Sequence, residues 1–223
     1  MNYAVKLLVT TCLSLGLLSG CMADSTTTTN TATAAATTGT YTEGKQFATL
    51  SSPIPTQAPT GQVEVTEIFW YGCPHCYELE PTINEYIKAK PANVYFNRVP
   101  ATLGEKWTFH AKLYYVGKML DTDGSKAIHA KIFDALHKQG RRIDNDDAIK
   151  RFFEAQGFTT AQVETVLKSM ELQTALNYAK DVTNKSGIQS VPSLIVNGKY
   201  LTGPAMMSEG SKLIDVLNYL VKK

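Results

Sequence analysis

The sequence predicts an α/β protein in which a βαβ unit and a ββα unit are separated by a helical insert. Three observations carry that expectation. A run rich in β-branched and aromatic residues, Val63 to Tyr71, leads directly into a stretch opened by Pro74, a residue suited to a first helical turn. From about Thr102 to Ser186, apolar residues recur at helical spacing. The pair Asn197-Gly198 then separates two short β-type runs ahead of a last amphipathic stretch.

The first residues stand outside that pattern. Lys6 and the apolar run Leu7 to Leu18 have the single positive charge and short core of a secretory signal, and the run is too short to span a bilayer as a stable helix. The run ends in Leu18-Ser19-Gly20-Cys21, which resembles the bacterial lipobox. Residues 1–20 are then a lipoprotein signal peptide, and Cys21 is the lipidated, palmitate-bearing first residue of the mature chain. The alternative is an ordinary signal peptide cut beyond Cys21. Either way Cys12 is removed, and with Cys21 acylated only Cys73 and Cys76 remain as thiols, so no cysteines are spare for a structural disulfide framework. Residues 21–40, dominated by Thr and Ala, lack apolar periodicity and read as a flexible tether with a reach on the order of 20–25 Å. A glycosylated or adhesive stalk is the other reading.

A short segment, Lys45 to Leu50, and a connection containing Pro53, Pro55 and Pro59 precede the first long strand, Val63 to Tyr71. The helix opened by Pro74 extends to about Ala89 and is stopped by Pro91, and Asn93 to Val99 is a second strand. The insert follows. Its helices are marked by Trp107 to Leu120, by Ile128, Ile132 and Leu136, by Ile149, Phe152 and Phe153, and by Leu172, Leu176 and Ala179. Asn145 or Asp146 caps one start, Thr159 to Gln162 forms a capping box, and Gly140, Gly157 and Gly187 sit where helices stop. Ser193 to Val196 and Lys199 to Leu201 make a hairpin about Asn197-Gly198. A final helix, Ser208 to Val221, carries Leu213, Ile214, Leu217 and Leu220 on one face.

Charge narrows the function. The 223-residue chain has 22 Lys and Arg against 20 Asp and Glu, which gives no electrostatic footprint for nucleic acid or an acidic partner. Chemistry points instead to Cys73-Pro74-His75-Cys76. At a strand end and helix start, backbone N–H groups and the helix dipole favour a thiolate at Cys73. Stabilising that reduced form makes the disulfide a stronger oxidant. His75 can add positive charge or a hydrogen bond to the same sulfur, while Cys76 sits one turn deeper as the resolving thiol. Half of a zinc site is the structural alternative, but it needs two more ligands. The other histidines, His110, His129 and His137, all fall in the insert and no second cysteine pair exists, so no metal and no cofactor is called for.

Glu67 is the second informative residue. Alternation puts Val63, Val65, Glu67 and Phe69 on one strand face, which buries the carboxylate if the strand is central and covered on both sides. A solvated glutamate on an edge strand is the alternative. Trp70, Tyr71 and Tyr77 flank the cysteines and are candidates for an apolar surface facing unfolded chains, with a core role equally open for Trp70. Glu78 and Glu80 complement the helix dipole from its first turns.

From Tyr41 onward the sequence resembles the DsbA family of thioredoxin-fold proteins. Tyr41 to Phe47 is similar to that family's mature start, Phe69-Trp70-Tyr71-Gly72-Cys73-Pro74-His75-Cys76-Tyr77 to its active-site strand and turn, and Val191-Pro192-Ser193-Leu194-Ile195-Val196-Asn197-Gly198-Lys199-Tyr200 to its cis-proline segment. The resemblance implies a thioredoxin-like domain of residues 41–101 and 187–223, with residues 102–186 as the insertion domain. It implies a cis Val191-Pro192 peptide facing the sulfurs, where a trans proline opening a strand is the alternative. It also implies that Glu67 lies beneath the disulfide, with Arg98 in the place of a basic partner. An arginine does not readily release its proton, so any proton shuttle falls to Glu67 or water. DsbA is itself a standing example of a low-pKa, oxidising thiol, so the direction of the redox expectation is inherited from the resemblance.

The expected function is a periplasm-facing, lipid-anchored oxidase. It donates the Cys73-Cys76 disulfide to reduced, unfolded or partly folded exported proteins and is recharged by a quinone-linked membrane oxidase of the DsbB kind. The Pro-His pair, and Val rather than Thr before the cis proline, argue against a reductase or isomerase on the same fold. A third reading is a surface lipoprotein whose domain only binds partners, which predicts that serine at both cysteines leaves function intact.

Overall fold

The computed structural model describes residues 40–208 and 210–223. The signal peptide, Cys12, Cys21 and all but the last residue of the tether lie outside these residues. Five strands form one sheet: β1 (Ala48–Thr49), β2 (Val63–Phe69), β3 (Val94–Pro100), β4 (Ser193–Val196) and β5 (Tyr200–Thr202). Their order is β1-β5-β4-β2-β3, with β2 and β3 parallel and the other neighbours antiparallel. The crossover between the parallel strands is α1 (Pro74–Ala89). The central strand is β2, where Glu67 stands opposite Arg98 on one side and Leu194 on the other.

Strand β2 ends at Phe69 rather than Tyr71 because the chain turns there: the Trp70 carbonyl accepts the Cys73 N–H at 3.0 Å. Between β3 and β4 stand α2 (Glu105–Leu120), α3 (Ile128–His137), α4 (Asp146–Glu154), α5 (Thr160–Leu167) and α6 (Met170–Ser186). Asn145 caps α4 by accepting the Ala148 N–H, Thr159 and Gln162 close a capping box on α5, and Gly187, at φ 62°, ends α6 in the left-handed region. The hairpin turn holds Asn197 and Gly198 at φ 51° and 63°, with the Lys199 N–H bonded to the Val196 carbonyl. Lys199 therefore belongs to the turn, and β5 starts one residue later than expected.

The last helix, α7 (Leu213–Leu220), is shorter than the expected Ser208–Val221. A 3-10 turn at Pro204–Met206 precedes it, and Ser211 donates through both its N–H and its Oγ to the Ser208 carbonyl, a side-chain turn that competes with helix formation. Leu213, Val216, Leu217 and Leu220 follow helical spacing and pack with Ile83 and Tyr86 of α1 and with Val65, Leu194 and Val196 of the sheet. Each such side chain contributes about 1.5–3 kcal/mol on burial. A second core joins Ile68, Phe69 and Val99 to Leu113, Ile132, Phe133, Ile149 and Phe153 of the insert, and Cys76 lies within it. Among the described residues no helix is long and apolar enough to cross a membrane.

Candidate active site

Cys73 is the N-cap of α1 and Pro74 its first residue, which spends the proline where no intrahelical N–H is needed. Three residues on, Cys76 is completely buried while Cys73 is partly exposed, and both are free thiols. Burial pushes the Cys76 thiol up, and charge on Cys73 or Glu67 adds to that rise. Opposite the pair, the Val191-Pro192 peptide is cis and the Cys73 thiol donates to the Val191 carbonyl across 3.6 Å. Gly72 is dictated by Trp70: a Cβ at this position would meet the indole ring at 2.3 Å. That ring stacks on Trp107 of α2 at 4.2 Å and 13°.

The insert grips the cysteine-bearing segment through α3. Tyr71 is buried, its hydroxyl 2.8 Å from His129 Nδ1, and its carbonyl accepts from His137 Nε2 at 2.7 Å. Tyr77 donates to Asp134 at 2.7 Å and stacks on His137 at 4.9 Å and 7°.

A charged cluster lies behind this contact. The parallel register places the Arg98 and Glu67 side chains on one face, and Arg98 Nε donates to Glu67 Oε2 at 2.8 Å. Arg98 Nη2 also reaches both oxygens of Glu80 at 3.4 Å, and His129 Nε2 lies 3.1 Å from Glu80 Oε1. Burial raises the Glu67 carboxyl to about 7, outweighing the Arg98 charge that pulls it down. Burial also acts to raise Glu80, but the hydrogen bond from His129 and the Arg98 charge hold it below the ordinary range. Tyr71, Glu80, Arg98, Tyr114, Lys118 and His129 line a cavity of about 570 Å³.

A paired thiol split between a partly exposed helix cap and a buried first turn, opposite a cis proline, is an arrangement for exchanging disulfides. The family model described as Thioredoxin matches residues 58–216. The chain is 37% identical over 218 residues to the thiol:disulfide interchange protein DsbA of Burkholderia cepacia, covering 98% of this chain and 96% of that one. It is 31% identical to its counterpart in Pseudomonas aeruginosa PAO1 over 82% of this chain and 85% of that one. The chain belongs to the DsbA family of thiol:disulfide interchange proteins. The crystal structure of P. aeruginosa DsbA superposes with a TM-score of 0.74 at 31% identity, covering 82% of this chain and 93% of that one. The oxidoreductase NmDsbA1 of N. meningitidis gives 0.70 at 27% identity, over 81% and 92%.

Within this DsbA-family oxidoreductase the fold brings Cys73, Pro74, Cys76, Val191 and Pro192 together, with Glu67 buried on the central strand rather than solvated at an edge. His75 departs from expectation: its side chain is exposed and its Nδ1 lies 3.1 Å from Glu78, on the helix surface, where no hydrogen bond to the Cys73 sulfur is made. Tyr71 is core and not part of an apolar docking surface, because its hydroxyl and carbonyl are both committed to α3. Glu80 is not a solvated dipole partner either. It shares the buried face of α1 with Cys76 and Ile83, and that i, i+4, i+7 spacing was its available signal. His129 gave no comparable signal, since its partners come from the active-site turn and α1.

Proposed function

We propose that this DsbA-family enzyme is an oxidant of exported proteins, with Cys73 as the sulfur attacked by substrate. A substrate thiolate attacks Cys73 Sγ, the Cys73–Cys76 bond breaks, and Cys76 leaves with the electron pair and is protonated. A second substrate thiolate then attacks the substrate sulfur of the mixed disulfide, forming the substrate's disulfide and releasing Cys73 toward the N-terminus of α1, where backbone N–H groups favour an anion. Val191 offers strand-like hydrogen bonds to the substrate backbone, and Pro192, lacking an N–H, lies beside the sulfurs. Glu67 exchanges the proton of Cys76.

Reoxidation reverses the thiol steps against the disulfide of a DsbB-like, quinone-linked membrane oxidase. The domain division is 41–101 with 187–223 around the insertion 102–186. The enzyme works in the periplasm, tethered through lipid on Cys21, a reading supported by Leu18-Ser19-Gly20-Cys21 directly after the apolar run.

The observation that carries the oxidant reading is the placement of Cys73 at the helix cap with Cys76 buried behind it. Equilibration with glutathione tests it. Excess reduced enzyme at balanced glutathione is expected, and a predominantly oxidised enzyme at the same poise would instead mark a reductase.

A further inference from the structure

Two buried carboxylates share the Arg98 guanidinium, and they are not equivalent. Glu80 accepts from three side chains: His129 at 3.1 Å, Asn84 at 3.3 Å, and Arg98 at 3.4 Å to each oxygen. Among the described residues Glu67 accepts from Arg98 Nε alone, and its Oε1 is buried with no partner there. Ionising both sets two negative charges against the one guanidinium among largely buried side chains, so the pair tends to keep one proton. Which carboxyl keeps it is decided by the donors.

We propose that His129 is a positioning residue of the dithiol reaction, fixing Glu80 as the ionised carboxylate so that the shared proton resides on Glu67, the carboxyl within electrostatic reach of Cys76.

The imidazole is built for that task. Its Nε2 lies 3.1 Å from Glu80, a carboxylate that when ionised can only accept, so the ring's one proton sits on Nε2 and Nδ1 is left to accept from the Tyr71 hydroxyl at 2.8 Å. Burial keeps the Tyr71 phenol protonated and lowers the His129 imidazole, so the ring donates as a neutral group. The charged groups facing it are Glu80 from α1 and Arg98 from β3. Tyr71 from the active-site turn and Tyr114 from α2 are its titratable ring neighbours, at 5.3 and 5.8 Å between centroids, and Phe69 and Phe133 complete its walls at 5.1 Å. Lys118 lines the adjoining cavity, with its ammonium over the Tyr114 ring.

This assignment deepens the oxidant reading and rests on it. When a substrate thiolate opens the disulfide, the departing Cys76 sulfur takes the Glu67 proton. On reoxidation the Cys76 thiol returns it to Glu67 while its sulfur closes on Cys73 and expels the partner's thiolate.

The test is a ¹³C-carboxyl titration of glutamate-labelled protein, assigned with Glu67→Gln and Glu80→Gln. In the parent the Glu67 signal titrates near neutrality and the Glu80 signal stays ionised. His129→Phe raises the Glu80 midpoint by about one pH unit or more and lowers that of Glu67, and His129→Gln, which can donate to Glu80 and accept from Tyr71, restores both. Unmoved midpoints in His129→Phe overturn the proposal. A ¹⁵N spectrum of the parent needs no variant: a His129 ring that becomes charged between about pH 5 and pH 8 also overturns it. Midpoints that shift while the pH profile of peptide oxidation stays fixed would separate the cluster from the reaction. The glutathione equilibrium reads the oxidant function independently of all three.

Discussion

Glu67 and Arg98 stand opposite each other on adjacent parallel strands, the guanidinium Nε 2.8 Å from a carboxylate that solvent does not reach. Despite that ion pair, burial raises the Glu67 carboxyl to about 7. The folded protein therefore binds a proton there that the unfolded chain has released above its ordinary carboxyl pKa. The associated stability is fully present below that unfolded value and is lost as pH rises through about 7. Glu67→Gln, which is neutral throughout, removes this dependence. Denaturant midpoints of parent and variant should diverge in the variant's favour between about pH 5 and pH 8, by an amount on the order of a few kcal/mol. Parallel pH profiles would mean that Glu67 is ionised across the range.

Cys73 and Cys76 differ in access, so their serine variants should differ in kind. Cys76→Ser has no disulfide to donate but keeps Cys73, whose thiolate should attack an added substrate disulfide, expel one of its sulfurs as thiolate and, with no Cys76 to resolve it, accumulate as a mixed disulfide on non-reducing gels. Cys73→Ser should form none. Native-state alkylation of the parent should modify Cys73 and spare Cys76 until the protein unfolds.

Favouring the reduced form by folding implies that reduction strengthens the fold. The reduced enzyme should resist denaturant better than the oxidised enzyme, opposite to the ordinary effect of a cross-link. Equal or reversed midpoints would count against an oxidant.

Gly72→Ala places a methyl 2.3 Å from the Trp70 ring, which is itself held against Trp107. Neither aromatic can rotate away cheaply, so the variant should lose about 1–3 kcal/mol in urea unfolding. Peptide oxidation should slow as the approach to Cys73 is displaced.

The proposed anchor has its own test. Cys21→Ala should abolish palmitate labelling and leave the protein soluble or uncleaved. Unchanged labelling and detergent partitioning would remove the lipid from the account.

Order of elements, the cysteine pair and the buried carboxylate of β2 were legible because each leaves a local mark: alternation, a helix-starting proline, an Asn-Gly turn. Glu64 and Glu67 show the limit of such marks. Both are buried on β2, yet Glu64 has its oxygens bonded to the Gln57 N–H and the Thr66 hydroxyl at 2.5 Å each, while Glu67 keeps one oxygen unpartnered. Only tertiary neighbours distinguish a structural acid from one poised to carry a proton. His129 stayed hidden for the same reason, as its two bonds span 58 and 49 residues of chain. For His75 the structure answers only the hydrogen-bond half of the expectation, since its place on the helix turns the ring outward to Glu78 and not toward the sulfur.

The stack of Trp70 on Trp107 also makes the protein its own optical probe. These are the chain's only two tryptophans, they lie 4.2 Å apart, and one of them is three residues from Cys73. All indole emission therefore originates beside the reactive sulfur. The thiol exchange proposed for Cys73 and Cys76 thus takes place within sight of the whole of the molecule's tryptophan fluorescence, and substrate capture at that pair would be followed without attaching a dye.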